Sequence, residues 1–269
     1  MNELLLLALA MLATGAAGGV LAGLFGIGGG IVIVPALDAA LSAVGTDPAI
    51  RMHVAVATSL ATIIPTSIAS SRAHHRRQSV DLDLVRRWAV FVLLGAIAGA
   101  WLASRLHSNV LAAVFAVFAL LIAIKMLLPL DGKTLADDVP RNAAITAVPF
   151  AIGGVSSMMG IGGGTLSVAA LTLLNQPIHR AVGTAALFGL VISLPGTLGF
   201  VVTGFGDPRL PVGSLGFVNL IGFALIAPTT VLLAPVGAAL AHRLSQRQLS
   251  LMFGAFLLLV SMRMLSRVF

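Results

Sequence analysis

Gly26-Ile27-Gly28-Gly29-Gly30 and Gly160-Ile161-Gly162-Gly163-Gly164 are the same five residues, placed 134 positions apart. Each cluster lies inside a long run without a charged side chain, residues 4–37 and 142–176. The first run holds 34 residues, about 51 Å as one helix at 1.5 Å per residue. The hydrocarbon core of a bilayer is only about 30 Å thick. One upright span cannot contain the run, and four glycines in five positions mark the place where it breaks or turns back, because a residue without Cβ takes positive φ at little cost.

Working outward, the pairing continues. His53-Val54-Ala55-Val56-Ala57-Thr58 matches His179-Arg180-Ala181-Val182-Gly183-Thr184 at four of six positions, and each threonine is followed by a proline, Pro65 or Pro195. Apolar segments follow each cluster in the same order: residues 52–71, 88–104 and 110–128, then 181–206, 215–241 and 248–262. Residues 129–141 hold a mixed-charge stretch between them. The chain therefore divides into a first repeat at 1–128, a linker at 129–141 and a second repeat at 142–269.

Composition names the solvent. Hydrophobic residues make up 58% and charged residues 9%, against roughly 25% charged in a soluble domain, and the mean hydropathy is +1.07. The fold class is an all-α polytopic integral membrane protein of two homologous halves, each with a glycine-broken re-entrant or discontinuous helix and three spanning helices. The N-terminal residues are read as part of the mature chain, since Glu3 stands where a signal peptide carries positive charge. Basic residues are grouped in short loops, Arg72, Arg76, Arg77, Arg86 and Arg87 above all. That pattern marks a cytoplasmic face and excludes nucleic acid as the partner.

The charges leave the relation of the halves open. With re-entrant clusters the halves are inverted, with spanning clusters parallel, and either way 11 of the 16 Lys and Arg fall on the cytoplasmic side. Inverted halves are favoured because two hairpins meeting from opposite faces make a midplane site that alternating access can use.

Non-helical backbone survives in a bilayer only when packed in protein or lining a wet cavity. A helix restarting after each break brings free N–H groups and a positive dipole end, which together favour an anion. The candidate substrate-binding residues are Gly26, Gly28, Gly29, Gly30, Thr58, Ser59, Gly160, Gly162, Gly163, Gly164, Thr165 and Thr184. Packing is the competing reading for glycine, and it is preferred for Gly15, Gly19, Gly23, Gly95 and Gly99. A threonine in a membrane helix also commonly bonds its own backbone. His53 and His179 are candidates for a proton or ligand role, against an interfacial one beside Arg51 and Arg180. Lys125 is expected to snorkel. No carboxylate is expected deep in an apolar run, which favours an anionic cargo. There is no cysteine, no Walker or HExxH pattern and no paired carboxylate, so neither catalytic residues, cofactor nor metal is expected, and the protein is read as no enzyme.

The doubled Gly-Ile-Gly-Gly-Gly cluster and the Ala-Val-Ala/Gly-Thr pieces ending at Thr58 and Thr184 resemble the sulfite exporter TauE/SafE family of permeases, over about residues 8–261. The resemblance implies a multi-pass protein of a bacterial inner membrane that exports sulfite, sulfoacetate or another small sulfonate or organic anion. Its partners are then that small anion, the lipid bilayer and, as an allowed arrangement, a second copy of the chain. Where the family pairs Thr with Ser, as in Thr58-Ser59, the second copy has Thr184-Ala185, so a site using these hydroxyls is asymmetric. A passive anion channel and a structural membrane subunit are the alternatives.

Overall fold

The computed structural model describes residues 2–25, 29–128, 144–241 and 245–268. The described residues form ten helices: α1 Asn2–Phe25, α2 Gly30–Ala43, α3 Pro48–Arg76, α4 Leu82–Arg105, α5 Ser108–Leu127, α6 Ala144–Met159, α7 Gly164–Leu173, α8 Ile178–Thr203, α9 Leu220–Ala241 and α10 Gln246–Val268. The chain is an all-α polytopic membrane protein. Five of these helices are long and apolar enough to cross a bilayer, namely α3, α4, α5, α8 and α9.

Several helices extend past the apolar runs because polar caps finish them. Asp47 Oδ1 accepts from Ala49 N–H at 2.9 Å with Pro48 in the first turn, and Asp81 Oδ1 accepts from Leu84 N–H at 2.9 Å; a side-chain acceptor there satisfies a donor the helix leaves free. The expected segment at 215–241 is different. Its first residues form a two-residue antiparallel ladder, Ser214–Leu215 with Val218–Asn219, turned by Gly216 at φ 53°, and the helix starts only at Leu220.

Which ends touch fixes the helix directions. At one face the start of α3 meets the end of α4, through His53 Nε2 at 3.1 Å from the Ala103 and Leu106 carbonyls, and the start of α5, through Met52 N–H to Ser108 Oγ at 3.0 Å. The start of α9 joins them, with Asn219 N–H donating to Thr58 Oγ1 at 2.9 Å. At the other face, here the basic face, the start of α8 meets the start of α4, with Arg180 3.2 Å from Asp81 and Asp81 N–H donating to Thr184 Oγ1 at 3.0 Å. There too the start of α10 meets the end of α5, with Arg247 donating to the Leu127 carbonyl at 3.0 Å. Hence α3 runs against α8, α4 against α9 and α5 against α10.

The broken helices follow the same plan. Gly15 and Gly19 of α1 face Ile226 and Thr230 of α9, so these two run side by side in the same direction, and a Cβ on Gly19 would stand 2.7 Å from the Thr230 carbonyl oxygen. Gly95 and Gly99 of α4 face Phe150 and Gly154 of α6 in the same way. These four glycines serve close backbone approach, the usual device where lipid offers no hydrophobic drive for helix pairing. Gly18 of α1 faces Ile33 of α2, and a Cβ on Gly29 would stand 3.4 Å from that of Ala22, so α2 lies back along α1.

The core lies along α3 and α8, where Trp88 stacks on Phe188 with centroids 6.0 Å apart and Phe115, Phe200 and Phe253 are buried. Val90, Leu94, Ile97 and Trp101 of α4, Leu121 of α5 and Leu198 and Val202 of α8 are exposed apolar side chains. In water this belt would be a liability; in lipid it is the expected outer surface, with Arg105 over the Trp101 ring at 5.4 Å where the span ends.

Candidate functional site at the paired glycine breaks

Gly29 and Gly163, which precede α2 and α7, share one conformation, φ 78° and ψ −12°, and neither helix start has a side-chain cap. An L side chain rarely adopts that left-handed backbone, which is why the repeat keeps glycine there. Gly26 and Gly28 lie outside the described residues. In α7 the first helical bond is Ser167 N–H to the Gly163 carbonyl at 2.8 Å, so the N–H groups of Gly164, Thr165 and Leu166 come before it, at the positive end of the helix dipole.

The two breaks touch. A Cβ on Gly30 would overlap the Gly160 carbonyl oxygen and stand 2.9 Å from Ile161 Cα. Ser59 of α3 donates to the same Gly160 carbonyl at 2.7 Å, satisfying an acceptor that the broken helix frees. Ile63 completes the junction, its Cδ1 2.8 Å from a Cβ on Gly30 and its Cγ2 2.6 Å from one on Gly162. Gly164 and Thr165 open α7 and are buried there.

The other sequence candidates are placed elsewhere. Thr58 and Thr184 are equivalent and do the same thing, each accepting from a backbone N–H just ahead of a helix of the opposite half, Asn219 before α9 and Asp81 before α4. Replacing either by valine orphans a donor at a cost of about 1–2 kcal/mol. Both threonines are buried, but Asn219 is buried too whereas the Asp81 side chain is 18% exposed, so Thr58→Val should lower the melting temperature in detergent more than Thr184→Val. His53 is buried and binds the end of α4 while stacking on Phe217 at 5.1 Å, whereas His179 is exposed at the basic face. They do not meet. Lys125 donates to the Ala169 carbonyl of α7 at 3.1 Å.

Two features escaped the sequence reading. Asp38, expected nowhere in an apolar interior, is buried in α2 with its Oδ1 2.9 Å from Arg51 Nε, and Arg51 also donates to Ser42 at 3.0 Å. A charge at the end of a long apolar run looks like a loop residue until the hairpin folds it inward. The second feature is a set of hydroxyls around the second break, Ser156, Ser157, Thr165, Ser167 and Thr197, whose oxygens are buried without a hydrogen-bond partner. Only Thr165 was picked out from the sequence. Comparison across the 134-residue offset was the available signal, since positions 156, 157, 165 and 167 correspond to Ala22, Gly23, Ile31 and Ile33.

Outside the membrane segments, Arg209 donates twice to Asp207 and holds its carboxyl down at about 2. The pair on this loop therefore stays ionised at any pH used to assay transport.

The family model described as sulfite exporter TauE/SafE matches residues 11–264. The chain belongs to this family. It is 35% identical over 255 residues to a probable membrane transporter protein of Haemophilus influenzae, covering 94% of this chain and 96% of that protein. Probable membrane transporter proteins of Bacillus subtilis (YunE) and Methanocaldococcus jannaschii are each 24% identical, over 92% and 98% of this chain and 93% and 97% of their own lengths. No solved structure matches the chain at a significant level. This TauE/SafE member is thus a multi-pass membrane transporter.

Proposed function

We propose that the protein is a secondary carrier of a small oxyanion, in the class of sulfite, sulfoacetate and other sulfonates, with its site at the paired breaks. The observation that carries this reading is the contact between the two breaks, Gly30 at the start of α2 against Gly160 and Ile161 ahead of α7, where both helices start uncapped behind a left-handed glycine. Helix starts aimed at one midplane point are the arrangement that discontinuous-helix transporters use for anionic groups. The halves, 1–128 and 142–269, act as inverted repeats that rock about this junction, joined by 129–141. The basic face, with Arg72, Arg76, Arg77, Arg86 and Arg87, faces the cytoplasm of a bacterial inner membrane. Export then needs no coupling ion, because an inside-negative potential of 100 mV drives each negative charge outward by about 2.3 kcal/mol.

The test is flux in proteoliposomes with sulfite, sulfoacetate and acetate, comparing Gly162→Leu. Gly162 has φ 65° and faces Ile63, so a leucine there is both strained and blocked. Saturable sulfite or sulfoacetate flux that is accelerated by the same anion on the far side, and lost in the variant, is the expected result. Flux that never saturates would instead indicate a channel, and no flux of any anion would overturn the reading.

A further inference from the structure

We infer that the anionic group is held by the second break alone, by the hydroxyls of Ser156, Ser157, Thr165 and Ser167 together with the N–H groups that open α7, with the unpaired hydroxyl of Thr197 on neighbouring α8 as a further donor. The inference rests on the carrier reading above and goes further by choosing the side and the donors. Other buried hydroxyls in this chain have partners, in their own helix for Thr62, Thr66, Thr172 and Thr230 and on another element for Ser59, Thr58 and Thr184. Those around the second break do not, although Ser156, Ser157 and Ser167 are fully buried and Thr165 is 2% exposed. Leaving a buried hydroxyl unmade costs free energy, so such a group signals a partner that comes and goes.

All of these hydroxyls lie within one or two turns of the second break or on the helix packed beside it. Ser156 and Ser157 end α6, Thr165 and Ser167 occupy the first turns of α7, and Ser167 Oγ lies 3.6 Å from a Cβ on Gly163, the residue that caps the helix. Ser157 Oγ lies 2.9 Å from a Cβ on Gly196, next to Thr197 on α8. Four neutral O–H donors and a helix start can replace the water shell of one oxyanion group without a counter-charge, and residues 142–176 indeed hold no ionisable side chain. At the first break the equivalent positions are Ala22, Gly23, Ile31 and Ile33. None of these four carries a side-chain donor. The site therefore suits a ligand with a single anionic head, and both faces of the membrane read it through the same half of the protein.

The experiment is calorimetric titration of the purified full-length protein with sulfite, sulfoacetate and acetate in turn, on wild type, Thr165→Val/Ser167→Ala, and Thr172→Val as a control whose hydroxyl bonds its own helix. Wild type is expected to bind sulfite or sulfoacetate. The double variant should bind about 100-fold more weakly, roughly tenfold per lost hydroxyl, and its melting temperature should rise, since two unpaired buried hydroxyls are gone. The control should stay within about twofold of wild type. Equal binding by the double variant, or a lowered melting temperature that marks the hydroxyls as structural, overturns the inference, as does a wild type that binds none of the three anions. Binding by wild type that is lost in the double variant, without flux in vesicles, leaves this site standing and removes the carrier reading instead.

Discussion

Gly30→Ala should abolish transport and destabilise the protein, although alanine is the best helix former and Gly30 opens α2 with ordinary helical backbone. The reason is contact alone. The added methyl would overlap the Gly160 carbonyl oxygen and approach Ile161 Cα at 2.9 Å, and backbone on the far side of a buried junction cannot swing away as a side-chain tip can. Overpacking of this kind costs about 1–3 kcal/mol, and relieving it means pushing the two breaks apart. Gly45→Ala is the matched comparison: φ is 74° there, but nothing lies within 4 Å of the new methyl. Its cost is conformational only, about 1 kcal/mol, and flux should survive. Flux and detergent melting curves on the two variants measure the contrast, and a Gly30→Ala protein with wild-type flux would mean that the breaks do not need to touch.

The second large effect is expected at Asp38. Asparagine there keeps the shape and removes the charge, leaving the Arg51 guanidinium against α2 without its carboxylate 2.9 Å away. Breaking a buried pair by deleting one partner costs about 3–5 kcal/mol; Arg51 is 20% exposed, which places the expectation at the lower end, about 3 kcal/mol. Asp38→Leu/Arg51→Met should recover most of the loss, because a hydrophobic pair of similar volume leaves no orphaned charge. Melting temperatures of the single and double variants decide it: additive losses would show that the two side chains do not act as a pair. Position 172, across the 134-residue offset from Asp38, is a threonine bonded to its own helix, so it offers no charge to tie α7 to the helix that follows it.

Much of this organisation is written locally. Apolar run length, the positions of Gly26 to Gly30 and Gly160 to Gly164, the caps at Asp47 and Asp81 and the family motifs all sit in short windows, and hydropathy, positive φ and capping depend on little more than neighbouring residues. The sequence reading overlooked Asp38 because it weighed charge along the chain rather than in space. It passed over Ser156, Ser157 and Ser167 because serine in a membrane helix is ordinary unless its own backbone refuses it, and that refusal is a matter of geometry.

Read along the chain alone, the residues already announce a helical membrane protein with two identical glycine clusters. It takes the folded chain to bring the breaks together, to set α3 to α5 against α8 to α10, to place Thr58 and Thr184 at helix starts and to leave certain hydroxyls unpaired. The partners involved stand 101 residues apart for Ser59 and Gly160 and 161 apart for Thr58 and Asn219. A hydrogen bond acts over about 3 Å, so no property of either segment taken alone can announce it. The charge count, equal for both arrangements of the halves, could not choose between them for the same reason: it counts loops, whereas direction is settled by which helix ends touch.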